Sequence, residues 1–341
     1  MSTNGIVVAI VGATGVVGQE MRNVLAERRF PIARLVPLAS ARSQGSTLSW
    51  QGDDIPVEIL GDSSFEGVDV ALFSAGAGVS EKYAPIATKG GTYVVDNSRA
   101  FRMDPNVPLV VPEINRQALE SESLIIANPN CSTIQKVIAL QPLHELAGLT
   151  RVVVSTYQSA SGGGRDAMDE LKEQTVSLLN FRDVKVENFS RRLAFDTIPQ
   201  IDQFESDGFT REEHKMIFET RKIMELNDLP VCATCVRVPV FVGHAMSVNV
   251  EFERSISLSE AANALQQAPG ITFHESPEDF PVAADAAGND SVHIGRLRRD
   301  PSVAHGLVFW VVADNLRKGA ATNAVQIAEA LREMGRFDQG A

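Results

Sequence analysis

No stretch of this sequence is apolar for long enough to cross a bilayer, and runs such as Leu307 to Ala313 stop well short. The N-terminus lacks the basic flank and apolar core of a secretion signal. Positive charge is in deficit. The 31 lysines and arginines face 43 acids, a formal net charge of -12 over 341 residues, which excludes extended binding to nucleic acid or an anionic membrane. Three cysteines, an odd number, cannot form a disulfide framework and fit a reducing compartment. Low-complexity tracts are missing too. With 44% hydrophobic residues the chain can bury a large core and is long enough for two domains. The expectation is a soluble cytoplasmic protein that acts on small molecules.

What is present begins with Ile6-Val7-Val8-Ala9-Ile10-Val11, an unbroken apolar run of the kind found in central parallel strands. Gly12-Ala13-Thr14-Gly15-Val16-Val17-Gly18 follows, and a helical pattern continues through Met21, Val24 and Leu25. Strand, glycine turn and helix make the context of a dinucleotide-binding loop. Glycines let the backbone approach a pyrophosphate, and the helix start favours its charge. The spacing is GxxGxxG rather than GxGxxG, and a plain strand-to-helix turn is the alternative. The next strand, Arg34 to Leu38, leads into Ser40-Ala41-Arg42-Ser43, where an NAD site would carry a carboxylate for the ribose 2′-hydroxyl. Hydroxyls with a guanidinium suit a 2′-phosphate and so point to NADP. Val68 to Phe73 predicts a strand ending at Ser74-Ala75-Gly76, followed by a short helix at Glu81 to Thr88 and a strand at Thr92 to Val95. Alternating units to about residue 127 predict an α/β fold that opens with a Rossmann-like, doubly wound parallel sheet.

The strand Leu124 to Ala127 runs into Asn128-Pro129-Asn130-Cys131-Ser132-Thr133, and an apolar-periodic segment to Leu146 runs out of it. Pro129 and the two asparagines mark a tight connection, which sets Cys131 at or just inside a helix N-terminus. Partial positive charge and unpaired N–H groups there favour a thiolate and can hold an oxyanion. Filling space in a core is the other role open to a free cysteine.

Beyond it come a strand at Arg151 to Tyr157, the run Ser161-Gly162-Gly163-Gly164, and helices at Arg165 to Leu179 and Thr210 to Leu226, the latter capped by Thr210. Strand-like runs at Ala233 to Val240, Met246 to Phe252, Ser291 to Leu297 and Leu307 to Ala313 precede a final helix, Ala320 to Met334. Strands outnumber helices, so an α+β second domain with a mixed sheet is expected. Cys232-Ala233-Thr234-Cys235 is a C-x-x-C, but in a strand its two thiols point to opposite faces and no second pair completes a zinc site. Both read as buried structural cysteines. A cysteine nucleophile beside a nicotinamide predicts aldehyde oxidation through a thiohemiacetal and a thioester, helped by a histidine. His244, in a glycine-broken link between two strands, is the candidate.

The loop Gly12 to Gly18, with Phe73-Ser74-Ala75-Gly76, Asp96-Asn97-Ser98, Asn128-Pro129-Asn130-Cys131, Tyr157-Gln158, Cys235-Val236-Arg237-Val238-Pro239, Gly243-His244 and Asp314 to Ala320, resembles aspartate-β-semialdehyde dehydrogenase over nearly the whole chain. The resemblance implies an NADP-binding domain at 1–128, completed by the helix at 320–335, and a catalytic and dimerisation domain at 129–319. It implies NADPH-dependent reductive dephosphorylation of β-aspartyl phosphate by a homodimer, in the synthesis of lysine, threonine, methionine and diaminopimelate. Cys131 would be the thioester nucleophile, His244 the general acid/base, and Asn130 and Gln158 would orient the intermediate. Arg237 would take the substrate α-carboxylate. Glu212 and Lys215, three apart on one helix, would meet the amino group and the phosphate, with Glu213 a competing acid and Arg102, rather than Arg99, a second phosphate ligand. The cofactor would be held by Gly12, Thr14, Gly15, Val16, Val17, Ser40, Arg42, Ser43, Ser74, Ala75, Gly76, Ser161, Gly162 and Asn315, with no metal. Relatives more often carry a non-glycine in the middle of Gly162-Gly163-Gly164. The competing readings are an N-acetylglutamyl-phosphate reductase, a phosphorylating dehydrogenase of the glyceraldehyde-phosphate type, and a non-catalytic NADP-binding sensor.

Overall fold

The computed structural model describes residues 5–337. The chain divides into two compact units, one built from the chain up to Asn130 and again from Ala320, the other from Cys131–Gly319.

The first unit runs β1 (Ile6–Val11), α1 (Val16–Glu27), β2 (Ile32–Ala39), the hairpin β3 (Thr47–Trp50) and β4 (Asp53–Pro56), β5 (Glu58–Ile59), β6 (Val70–Phe73), α2 (Ala77–Lys89), β7 (Tyr93–Asp96), a short α3 (Pro112–Asn115) and β8 (Ile125–Ala127). Six of the strands form one parallel sheet in the order β5-β2-β1-β6-β7-β8. Alternate residues of β1 go to opposite faces. Val8 and Ile10 join one core with Met21, Leu25 and Leu72, while Ala9 and Val11 join another with Leu38, Phe65 and Phe73. Apolar residues on both faces explain why β1 reads as a continuous apolar run. The C-terminal helix, Thr322–Glu333, packs Ala324, Ile327, Ala328 and Leu331 into the first of these cores. The strand order turns back between β1 and β6, so the loops after these two strands open side by side at the switch point where such sheets bind ligands. The hairpin β3–β4 has no counterpart in the expectations, and α2 starts one turn before Glu81.

The second unit runs α4 (Cys131–Ala147), β9 (Leu149–Gln158), α5 (Arg165–Leu179), α6 (Arg211–Ile223), β10 (Val231–Arg237), β11 (His244–Phe252), α7 (Leu258–Gln267), β12 (Ile271–Phe273), α8 (Ala283–Ala286), β13 (Val292–Arg299) and β14 (Gly306–Ala313). Its six-stranded sheet is mixed, in the order β10-β9-β11-β14-β13-β12, with parallel pairs at both ends and antiparallel pairs between. Eleven of the 17 residues of α4 are buried, the polar Ser132, Thr133, Gln135 and Lys136 among them, so the helix lies inside the unit. Thr210 caps α6 through a capping box with Glu213.

Three expectations shift. β10 ends at Arg237, because Pro239 has no N–H to continue a ladder. His244 is the first residue of β11, paired with Ala313, rather than part of the link before it. A π-helical turn at Arg317–Ala321 precedes the last helix and delays its start. Among the described residues, no helix is long and apolar enough to cross a membrane.

Candidate active site

In the first unit the glycine loop is shaped by contacts that only glycine permits. Gly12 has φ +88°, and a Cβ there would stand 2.7 Å from the Ser74 carbonyl oxygen. A Cβ on Gly18, in the first turn of α1, would overlap the Gly12 carbonyl. The loop therefore lies flat between β1, α1 and the end of β6. Neither α1, after Gly15, nor α2, after Gly76, has a side-chain cap, so both helix starts present backbone N–H groups at the switch point. Thr14 Oγ1 lies 3.4 Å from Ser43 Oγ, which joins the glycine loop to the turn carrying Ser40 and Arg42, both exposed. Val16 and Val17 form the first turn of α1, and Ser74 and Ala75 follow β6. Backbone N–H groups, hydroxyls and a guanidinium thus line this end of the sheet, a set that could hold a dinucleotide pyrophosphate. Among the described residues no group of acids, histidines and cysteines is arranged to hold a metal ion.

Arg102 is buried in the same unit, its Nε donating to the Asn128 carbonyl at 2.9 Å and its Nη2 to that of Asn97 at 2.7 Å. Arg99 is exposed. The geometry thus separates the two candidates, tying Arg102 to the backbone just ahead of Asn130 and Cys131. Asn128 is itself held by Asn323, whose Nδ2 donates to Asn128 Oδ1 at 2.6 Å.

In the second unit, Cys131 is half-buried and opens α4. Its Cβ packs so closely that a Cβ on Gly319 would approach to 2.9 Å. The end of β9 brings Gln158, which accepts from Thr156 Oγ1 at 3.0 Å and donates to Glu212 Oε1 at 3.1 Å. Glu212 Oε2 meets Lys215 Nζ at 3.0 Å, and Lys215 also meets Asp202 at 2.9 Å. Burial pulls the Lys215 ammonium down, but the Glu212 and Asp202 carboxylates outweigh it and its pKa rises. Glu213 points elsewhere: its carboxylate accepts from Thr210 N at 2.7 Å and Cys235 N at 2.9 Å, a cap and a brace between α6 and β10. Glu212 is therefore the acid that faces Gln158 and Lys215.

Arg237, at the end of β10, is buried with Nη1 donating to the Ser159 carbonyl at 2.6 Å. Burial lowers its pKa, against the opposing fields of Glu212 and of the Cys131 sulfur, which places the guanidinium within electrostatic reach of that sulfur. His244 is fully buried, and burial followed by the Arg237 charge lowers its pKa to about 3. A Cβ on Gly162 would lie 2.8 Å from Arg237 Nη1 and 3.2 Å from His244 Nε2, so glycine there leaves both groups room.

Asn315 and Ser161 are drawn into a network of their own. Asn315 Oδ1 accepts from Ser161 Oγ at 3.0 Å, Ser159 Oγ at 3.1 Å and Gly243 N at 3.0 Å. Asp314, beside it, binds the N–H groups of Leu316, Arg317 and Gly288. Sequence reasoning missed Asp202 and Ser159. Neither lies in a recognisable motif, although the positive φ of +67° at Asp202 marks a constrained turn. Of the two cysteines expected to be buried only Cys235 is; Cys232 is exposed, because residues three apart on β10 face opposite sides.

Comparison with known proteins returns the same frame. The model of the semialdehyde dehydrogenase NAD-binding domain matches residues 7–122, and that of the semialdehyde dehydrogenase dimerisation domain matches residues 140–318. The chain is 50% identical to the aspartate-semialdehyde dehydrogenase of Aquifex aeolicus over 334 residues, 96% of this chain and 98% of that one. It is 48% identical to the Bacillus subtilis enzyme of the same name over 340 residues, 97% and 98% of the two chains. The crystal structure of aspartate semialdehyde dehydrogenase II from Vibrio cholerae, complexed with ASA, superposes with a TM-score of 0.94 at 48% identity, covering 97% of this chain and 99% of that one.

Proposed function

Because this chain belongs to the aspartate-semialdehyde dehydrogenase family, oxidoreductases of amino-acid biosynthesis, we propose that it interconverts L-β-aspartyl phosphate and L-aspartate-4-semialdehyde through a thioester on Cys131. One arrangement carries this reading: Cys131 at the start of α4 lies in the field of Arg237, whose guanidinium shares the space beside Gly162 with His244. A thiolate at a helix start beside a buried cation is a nucleophile at neutral pH.

The other roles follow from charge. Arg237 takes the substrate α-carboxylate, since a planar guanidinium reads a carboxylate with two parallel hydrogen bonds. Glu212 takes the substrate ammonium, while Lys215 and Arg102 take the phosphate. Asn130, with Gln158, which is held by Thr156 and Glu212, orients the reacting carbonyl. NADP, the dinucleotide that Arg42 with Ser40 and Ser43 suits, supplies or accepts the hydride when bound. Gly12, Thr14, Gly15, Val16, Val17, Ser74, Ala75 and Gly76 would line its pyrophosphate cradle. The oxygen of Asn315 and the hydroxyl of Ser161 are spent on the network around Ser159 and Gly243, so their part toward the cofactor is indirect. We assign the working form to a homodimer in the cytoplasm, in keeping with the dimerisation-domain match.

The test is phosphate-dependent NADPH formation from aspartate semialdehyde, run beside the N-acetylated glutamate homologue. Turnover of the free amine, with a loss of about a thousandfold or more in Cys131→Ser, is expected. Preference for the acetylated analogue would remove the role of Glu212. An iodoacetamide rate at Cys131 no faster than an ordinary thiol's would favour a non-catalytic sensor.

A further inference from the structure

Thr156 and Gln158 stand two apart on β9, so their side chains leave the same face of the strand, and both are buried. The Thr156 hydroxyl lies 3.0 Å from Gln158 Oε1. An amide oxygen can only accept, so the hydroxyl proton points at it. The other end of the amide, Nε2, donates to Glu212 Oε1 at 3.1 Å. The Glu212 carboxylate, paired with Lys215, accepts as well, so the two contacts agree on which end of the amide is oxygen. A turned amide would set its oxygen against the carboxylate.

On the strands either side of β9, the residues in register with Thr156 are Cys235 of β10 and Met246 of β11. A thioether is a weak acceptor. Burial, and then the charge of Glu212, push the Cys235 thiol above its ordinary range, so it keeps its own proton and does not draw that of Thr156. Gln158 is the strong acceptor left to the hydroxyl among these neighbours. A substrate ammonium at Glu212 would compete with Gln158 Nε2 for the same carboxylate and loosen that end of the amide. The Thr156 contact has no such competitor. One proton of Nε2 goes to Glu212, and the second remains for the reacting carbonyl.

We propose that Thr156 is a positioning residue of the reaction: its hydrogen bond to Gln158 Oε1 fixes the amide toward the reacting carbonyl, and keeps it there when Glu212 turns to the substrate. The inference rests on the reading of Gln158 as a residue that orients that carbonyl. Thr156 has no exposed surface, so it acts through Gln158 and not on the substrate. Two consequences set it apart from a residue that only packs. Its hydroxyl matters more than its shape, and its effect vanishes once residue 158 has no amide.

The test is a double-variant cycle in the full-length protein, read as kcat and KM for phosphate-dependent NADPH formation from aspartate semialdehyde. Thr156→Val keeps the β-branched shape of the side chain and removes the hydroxyl. It should lower kcat about tenfold or more at saturating semialdehyde, with the KM for NADP within about twofold. Thr156→Ser, which retains the hydroxyl and opens a small void, should recover most of that kcat. In a Gln158→Ala background Thr156→Val should change kcat by less than about twofold, because the group it positions is gone. Thr156→Ala, read against Thr156→Ser, repeats the comparison should the valine variant not fold.

Equal kcat losses in the valine and serine variants would overturn the proposal, since packing rather than the hydroxyl would then be responsible. So would a loss from Thr156→Val that persists undiminished without the Gln158 amide. Should Gln158→Ala alone leave kcat within about twofold of the parent's, or the protein turn over no semialdehyde, the reading of the site fails instead. A crystal structure of Thr156→Val then decides the remaining point. A Gln158 amide placed as in the parent removes the hold of Thr156 on it, and a turned or divided amide sustains that hold.

Discussion

Lys136 sits on α4 five residues after Cys131 with no exposed surface, its Nζ donating to the Met216 carbonyl of α6 at 2.7 Å. Burial lowers its pKa from 10.5 to about 7, against the opposing fields of Cys235 and Glu219. Below pH 7 the lysine is charged in both the folded and the unfolded chain, and folding bears the full cost of burying that charge. Between pH 7 and 10.5 only the unfolded chain holds the proton, so stability rises with pH. For folded and unfolded values of about 7 and 10.5, this group's penalty shrinks by about 3 kcal/mol between pH 6 and pH 9.

Lys136→Met keeps the length of the side chain and removes the titration. The difference in unfolding free energy, variant minus parent, should therefore fall by about 2–3 kcal/mol from pH 6 to pH 9, whatever its sign at either end. Trp50 and Trp310 lie in different units. In a Trp50→Phe background, Trp310 fluorescence reports urea unfolding of the second unit alone. A difference constant within about 0.5 kcal/mol over that range would refute the reasoning, because it would mean that Lys136 keeps its proton in the folded state.

Arg237→Lys should lower kcat/KM for aspartate semialdehyde by about 30-fold or more while leaving the KM for NADP within about twofold, since a point charge replaces a planar fork. Equal losses for both ligands would contradict its assignment to the substrate carboxylate. Gly163→Ala should destabilise by about 1–3 kcal/mol, because its new methyl would stand 2.8 Å from Ala167 Cβ, and adding Ala167→Gly should restore most of the loss in thermal melts. Additive losses in the double variant would show that the two methyls do not compete. Asp202→Asn should keep the positive-φ turn, which asparagine tolerates, and release Lys215 from one of its two carboxylates. The expected result is a severalfold lower KM for phosphate in the NADP-reducing direction, and an unchanged KM would detach Lys215 from the phosphate.

The first unit was legible in the sequence because its signals are local. β1 is apolar on both faces, the glycines follow at once, and a close approach such as that of Gly12 to Ser74 leaves a single residue type possible. Cys131 was legible for the same reason: proline and asparagine mark the turn, and the helix pattern follows. Glycine at 163 also has a physical reason, since Ala167 already fills the space a side chain there would take. Other features needed the fold. Glu212 and Glu213 are adjacent acids with the same propensity, and only the capping box and the brace to Cys235 N assign Glu213 to structure. Arg99 and Arg102 are likewise equivalent until the Asn97 and Asn128 carbonyls claim Arg102. Ser159, Asn315 and Asp202 are far apart in sequence from the groups they position, and no period or spacing links them. The hairpin β3–β4 escaped notice because its short strands are exposed and carry little apolar alternation.

In a chain of net charge -12, two cations of the second unit are each fixed by specific partners. Arg237 is tied to the Ser159 carbonyl and Lys215 to Glu212 and Asp202. The carboxylates beside Lys215 keep its ammonium charged despite burial, whereas at Lys136 burial outweighs the fields of Cys235 and Glu219. Glu212 serves two neighbours at once, one carboxylate oxygen meeting Lys215 and the other accepting from Gln158, so a single acid ties α6 to the end of β9.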